Sequence, residues 1–177
     1  MITVNRAEYL SALTCAGVKD VRYYLNGIFF DPEGLIVATD GHRLFCGKAT
    51  TEGESVIISV KAKPPTKFDH VVISTEGRSA KFIDDKAQEV LISPIEIIDG
   101  RFPDWRWVSH FKPGKVEAIG IHMPYLADAA KCSKYFDKKS EWSSRNAGLG
   151  KRNAFQIRPG RLHVNYACPN VIPHATP

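Results

Sequence analysis

Apolar and polar positions along the chain fall into short blocks, and the order of blocks repeats. "ITV" (2–4) has the alternation of a strand, and "NRAEYLSALTCAG" then shifts to helical spacing. Asn5 stands at the N-cap with Glu8 three residues on, the two halves of a capping box. Leu10, Leu13 and Cys15–Ala16 give an apolar face, and Gly17 closes the helix. "VRYYLNGIFF" then reads as a strand, "DPEG" as a turn and "LIVAT" as a strand. "DG" reads as a two-residue hairpin turn and "HRLFCGK" as the returning strand. A second block starts near Ser55 with the strand "SVIISV". Its helix position holds "KAKPPTKF", where two prolines exclude a regular helix. Strands resume with "HVVIST", "RSAKFI" and "QEVLISPIEII". A third block starts near Val116 with "VEAIGIH". The helix "MPYLADAAKCSKYFDKK" follows, with Pro124 suited to its first turn. After the polar loop "SEWSSRNAGLGKR" come "AFQIR", "LHVNYAC" and "NVIPHAT".

The repeating unit is strand, helix and three antiparallel strands, with a period of roughly 55 to 60 residues. Two such units make a sheet-rich α+β domain with helices on one face. The expected organisation is one full domain over residues 1–110, a linker at "SHFKPGK", and half a domain over 115–177. A chain of 177 residues fits that size.

Charge sharpens the division. The chain has 24 Lys+Arg against 19 Asp+Glu, a formal net charge of +5. Residues 1–110 hold 13 basic and 15 acidic residues, and residues 111–177 hold 11 and 4, so the C-terminal third carries the whole basic excess. That asymmetry points to a polyanion contact. The four cysteines, Cys15, Cys46, Cys132 and Cys168, lie far apart with no CxxC pair, and read as buried or idle thiols in a reducing compartment. No metal or cofactor is expected. Neither a signal peptide nor a membrane-length apolar run is evident, so no membrane partner is expected.

The one cluster that resembles catalytic chemistry is "VATDGHRLF" (37–45), with Asp40, His42 and Arg43 around Gly41. A His–Asp pair needs mutual hydrogen-bond reach and a nucleophile or substrate beside it. A tight hairpin tends to splay these side chains, and no nucleophile elbow, zinc motif or phosphate loop occurs. His70, His110, His122, His163 and His174 are scattered singly. The cluster reads as a turn, and the chain as a non-enzyme.

Three strings, "VRYYLNGIFF" (21–30), "VATDGHRL" (37–44) and "DGRFPDW" (99–105), occur in that order. Together they resemble the middle domain of the bacterial sliding clamp, the β subunit of DNA polymerase III. "GIHMPYLADAA" and "NVIPHAT" resemble, more weakly, the second half of that clamp's third domain. The resemblance implies a DNA-clamp fold reduced to about one and a half domains. Nothing resembles the clamp's first domain or the first half of its third. The family ring is built from twelve units, so three units per chain would need four copies. The sequence leaves ring closure open.

In the family, one apolar pocket between the middle and third domains takes a short peptide from polymerases and other replication and repair proteins. The matching positions are Leu25, Thr39, Gly41, His42, Arg43, Leu44, Pro103, Trp107, Val108, Pro124 and Ile172. Trp107 departs from the pattern, since the family usually carries a basic residue there. An open apolar floor would make Leu25→Asp or Leu44→Asp abolish binding without loss of fold. The family's helices face duplex DNA without reading its sequence. Lys131, Lys134 and Lys138 share one face of the third-unit helix at i, i+3 and i+7. Lys139, Arg145, Lys151 and Arg152 follow in the loop. Lys19, Arg22, Tyr23 and Tyr24 lie at a helix-to-strand corner that could also touch DNA.

The resemblance therefore implies a processivity factor whose partners are duplex DNA, peptide-bearing polymerases, a clamp loader and further copies of itself. "AFQIR" and "SVIISV" are the candidate edges for joining copies. The implied setting is the cytoplasm of a bacterial or phage-infected cell. The alternative is a monomeric clamp mimic or adaptor that keeps the pocket without encircling DNA.

Overall fold

The computed structural model describes residues 1–109, 122–136, 154–158 and 161–165. The first unit is β1 (Ile2–Asn5), α1 (Arg6–Cys15), β2 (Ile28–Asp31), β3 (Leu35–Thr39) and β4 (Leu44–Lys48). The second is β5 (Val56–Val60), β6 (His70–Ser74), β7 (Ser79–Ile83) and β8 (Glu89–Ile98), with no helix between β5 and β6. Beyond them come α2 (Trp105–Ser109), α3 (Met123–Phe136), β9 (Ala154–Arg158) and β10 (Arg161–Asn165). The expected strands "VEAIGIH" and "NVIPHAT", and the linker beyond Ser109, lie outside the described residues.

Eight strands join in the order β1-β6-β7-β8-β5-β2-β3-β4. The pairing has internal two-fold character. β1 of the first unit pairs with β6 of the second, and β5 of the second pairs with β2 of the first. β8 pairs with β5, and in the matching place Thr50, just past β4, bridges Thr3 of β1 with reciprocal hydrogen bonds of 2.9 and 2.8 Å. The sheet is thereby nearly closed, and the chain has an α+β, clamp-like fold. The β9–β10 hairpin forms its own two-stranded ladder, with β10 running beside β4.

Side-chain alternation decides which face each strand residue covers. Ile28, Phe30, Ile36, Ala38, Phe45 and Ile58 pack towards α1 in the main core. Phe29, Val37, Leu44, Cys46 and Ile57 point the other way, to a second cluster under Phe102 and Trp105. Burial on both faces explains why "LIVAT" is a continuous apolar run.

Four expectations need correction. Residues 21–27 are not a strand: Tyr23–Leu25 form a 3-10 turn, and β2 starts only at Ile28. Asp20 and Asn26 hold that loop, Asp20 N donating to Asn26 Oδ1 and Asn26 Nδ2 to Asp20 O. "DG" is not a two-residue hairpin, because Thr39 pairs with Leu44 and leaves a four-residue connection, Asp40–Arg43. "SVIISV" is no free edge, since β5 is paired on both sides. The buried face of α1 is Glu8, Tyr9, Ser11, Ala12 and Cys15, with Leu10 and Leu13 half-buried at its flanks. α2 was not foreseen at all.

Candidate functional site

Asp40 organises the four-residue connection. Its Oδ1 accepts from the backbone N–H groups of His42 and Arg43 at 2.9 and 3.0 Å. Thr39 Oγ1 donates to Arg43 O at 2.6 Å and accepts from Gly41 N at 3.0 Å. This is the Asx-turn chemistry that an aspartate offers a loop. Gly41 sits at φ +87°, where a side chain would strain the backbone, and a Cβ there would also push aside Arg22 Nη1, 2.6 Å away. Arg22 reaches across to donate to Asp40 O at 3.0 Å while pairing with Asp20 at 2.6 Å. The Arg22 guanidinium hydrogen-bonded to Asp20 brings that carboxyl down to about 2.

Behind this loop lies a cleft of about 170 Å³. Seven expected pocket residues line it: Leu25, Thr39, Gly41, His42, Arg43, Leu44 and Pro103. Asp104, Trp105, Arg22 and Tyr24 complete the wall. The last two were expected on the DNA side, whereas Asp104 and Trp105 were missed, although the quoted string "DGRFPDW" contains both. Leu25 and Leu44 are only 1% and 2% exposed, so they belong to the packed cluster as well as the cleft. The expectation that Leu25→Asp or Leu44→Asp spares the fold is therefore withdrawn: a carboxylate there is a buried unpaired charge.

Of the remaining expected residues, Trp107 and Pro124 are not in the cleft wall. Trp107 lies on α2 and is 77% exposed. Val108 belongs to the same helix. Pro124 is exposed in the first turn of α3, and Ile172 lies outside the described residues.

Two devices hold the cleft's walls. On one side Arg106 of α2 clamps the buried Asp31 with two hydrogen bonds of 2.9 and 3.1 Å, and reaches Glu33 at 2.8 Å. Those carboxylates raise the Arg106 pKa, against the opposing pull of burial. The guanidinium also lies 4.6 Å over the Trp105 ring, and Phe102 stacks on Phe29 at 4.8 Å. The segment carrying Pro103 is thereby pressed against β2 and β3. On the other side α3 meets the connecting loop. Asp128 pairs with Arg43, Tyr125 takes the same guanidinium over its ring at 5.3 Å, and the His42 and Tyr125 rings lie near-parallel at 6.0 Å. Arg43 Nε also lies 3.0 Å from Asp40 Oδ2, as an ion pair without hydrogen-bond alignment.

The arrangement is a small apolar slot rimmed by polar groups. Among the described residues no group of three or more His, Cys, Asp or Glu side chains could hold a metal ion. No helix among them is long and apolar enough to cross a membrane. Of the expected DNA-facing residues, Lys131 and Lys134 are exposed on α3, and Lys19 is exposed at φ +54°. Lys138, Lys139, Arg145, Lys151 and Arg152 lie outside the described residues.

No protein-family model matches the chain. It is similar to the beta sliding clamp of Salmonella typhimurium, 34% identical over 110 residues, which is 55% of this chain and 29% of that protein. The beta sliding clamp of Proteus mirabilis is 33% identical over 115 residues, 58% of this chain and 30% of that protein. That of Escherichia coli strain K12 is 36% identical over 112 residues, 55% and 29% of the two chains. The chain thus spans about 30% of the length of these curated relatives. The findings support a relationship to the sliding clamp family that covers part of its domains.

Proposed function

We propose that this relative of the bacterial sliding clamps is a non-catalytic replication accessory protein. It docks a short linear peptide of polymerases and other replication proteins in the cleft, and holds duplex DNA without reading sequence. The observation that carries the reading is convergence: seven residues drawn from three separate stretches line one cleft. An apolar slot with a few orienting polar groups suits a peptide that inserts one or two apolar anchors. Arg22, His42 and Arg43 at the rim suit acidic or carbonyl groups of the peptide backbone. The exposed Lys131 and Lys134 on one face of α3 support the DNA half of the proposal.

Binding is expected at micromolar strength, about −8 kcal/mol. Fluorescence titration with a clamp-binding peptide tests it. His42→Asp and Pro103→Asp alter exposed rim positions, so they should weaken binding about tenfold, about 1.4 kcal/mol, with far-UV CD unchanged. A wild-type chain with no binding at ten times the expected Kd would end the peptide reading. Native mass by light scattering separates a closed oligomer from the monomeric adaptor.

A further inference from the structure

Cys15 and Cys132 stand far apart in the chain and meet in the core. Cys15 ends α1 and Cys132 lies within α3, and the two are 1% and 0% exposed. Helical spacing puts Ser11 and Cys15 on one face of α1, one turn apart. Cys132 Sγ lies 4.0 Å from Ser11 O, so the α3 thiol rests over that turn. There the two thiols share a hydrogen bond, Cys15 S–H donating to Cys132 Sγ. Cys46 is also buried, but it belongs to the second cluster, on the other face of the sheet.

The pair is unequal. The shared hydrogen bond pushes the Cys15 thiol well above its usual range, and burial adds to the rise. The same bond draws the Cys132 thiol below its usual range, against burial. The buried Ser11 hydroxyl has no hydrogen-bond partner among the described residues, so it can turn to donate to a thiolate at Cys132. Cys132 is therefore the nucleophile of the pair and Cys15 the proton donor. α3 is held to α1 by a short contact, since its buried residues are Ala129, Cys132 and Ser133. One turn before Cys132, on the same face, comes Asp128, which pairs with Arg43 at the rim of the cleft, and Tyr125 lies under the same guanidinium.

We propose that Cys15 and Cys132 form a redox site, which hydrogen peroxide converts to a disulfide that pins α3 to α1 and with it the latch of Asp128 and Tyr125 on Arg43. A local opening of α3 admits the oxidant. The Cys132 thiolate attacks one peroxide oxygen, the O–O bond breaks and hydroxide leaves, which makes Cys132 a sulfenic acid. The Cys15 sulfur then attacks the Cys132 sulfur, the S–O bond breaks, and water leaves with the Cys15 proton. Two thiols and one hydrogen peroxide give one disulfide and two waters. The sulfurs lose the two electrons that the peroxide gains. The new bond closes a loop that spans most of the described chain, which restricts the unfolded state.

The test treats the reduced full chain with hydrogen peroxide and maps linked peptides by mass spectrometry, with and without dithiothreitol. One dithiothreitol-sensitive link, Cys15 to Cys132, is expected. The oxidised protein should unfold at a urea midpoint higher by about 1 M. Amide exchange in α3 should slow about tenfold. In C15S the reaction should stop at a Cys132 sulfenic acid that dimedone captures, and in C132S Cys15 should stay unmodified, both variants being checked by CD. Free thiols at both positions after peroxide, or a link from either one to Cys46 or Cys168, overturn the site, and that result needs only the wild-type chain. Dimedone capture at Cys15 in C132S overturns the assignment of the nucleophile. A Cys15–Cys132 link that leaves the midpoint and the α3 exchange unchanged overturns the pinning.

Discussion

α1 and the segment 61–69 fill matching places on one sheet by different means. α1 has a cap at Asn5 and ten residues of regular hydrogen bonding, and it buries Tyr9, Ala12 and Cys15. The segment has two prolines, no regular hydrogen bonding, and one deeply buried anchor, Phe68. The two meet in the core: Tyr9 packs edge-on to Phe68 at 6.3 Å and to Phe82 at 5.7 Å, and Phe68 to Phe82 at 5.2 Å. A helix is one way to cover a sheet. A single aromatic on a stiff loop covers less of it, yet suffices where a neighbouring helix supplies a second aromatic.

The largest test of that comparison removes each anchor. Tyr9→Ala should cost about 3–5 kcal/mol in urea unfolding. Phe68→Ala should cost nearly as much if the loop's aromatic does a helix's work, and under about 1 kcal/mol if the loop is only a tether.

The next concerns Glu8, whose carboxyl burial pushes up to about 7 against the backbone hydrogen bond from Lys48. Its Oε2 has no hydrogen-bond partner. The folded state holds this proton more tightly than the unfolded chain does. Glu8 therefore contributes stability that is full below about pH 4.5 and is lost as pH rises through about 7. Glu8→Gln should flatten that slope and make the protein more stable at pH 8 by on the order of 3 kcal/mol. Denaturant midpoints across pH give the answer, and an unchanged slope would refute the assignment.

The smallest effects lie at the ends. Asn5→Ala removes the acceptor of the 2.9 Å bond from Glu8 N and should cost about 1 kcal/mol. Pro65→Ala relaxes the loop's unfolded ensemble and should cost about 0.4–1 kcal/mol. A larger loss for Pro65 than for Asn5 would invert the view that the helix slot depends more on local structure.

Much of this fold was legible because it is written in local chemistry. Two prolines forbade a helix at 61–69, and the structure has none. Capping, turn and alternation signals placed α1, most of the strands and α3. What escaped was decided at a distance. Residues 21–27 look like a strand by composition, but the side chains of Asp20 and Asn26 and the bond from Gly17 N to Leu25 O at 2.8 Å coil them into a loop. The capping box is half made, since the Glu8 carboxyl turns towards β4 rather than back to Asn5; a Cβ on Gly47 would sit 1.9 Å from it. α2 is five residues long, and its docking depends on Arg106 finding Asp31, 75 residues away. For the cleft, the resemblance named most of the wall. The latch from Asp128 and Tyr125 to Arg43 was invisible, because nothing local to either stretch signals the other.

The ten residues of β8 also carry a kinetic meaning. Its first half zips onto β7 as a hairpin neighbour, and its second half must find β5, the strand that opens the same unit, joining Ile58 to Ile97. β1 must likewise travel to β6, joining Ile2 to Ile73. The chain therefore closes large loops before those pairings reward it, a topology that folds in milliseconds to seconds rather than microseconds. The β6–β7–β8 meander is the part that can assemble from near neighbours. It is the natural seed on which the first unit's β1 and β2, brought in through β6 and β5, complete the sheet.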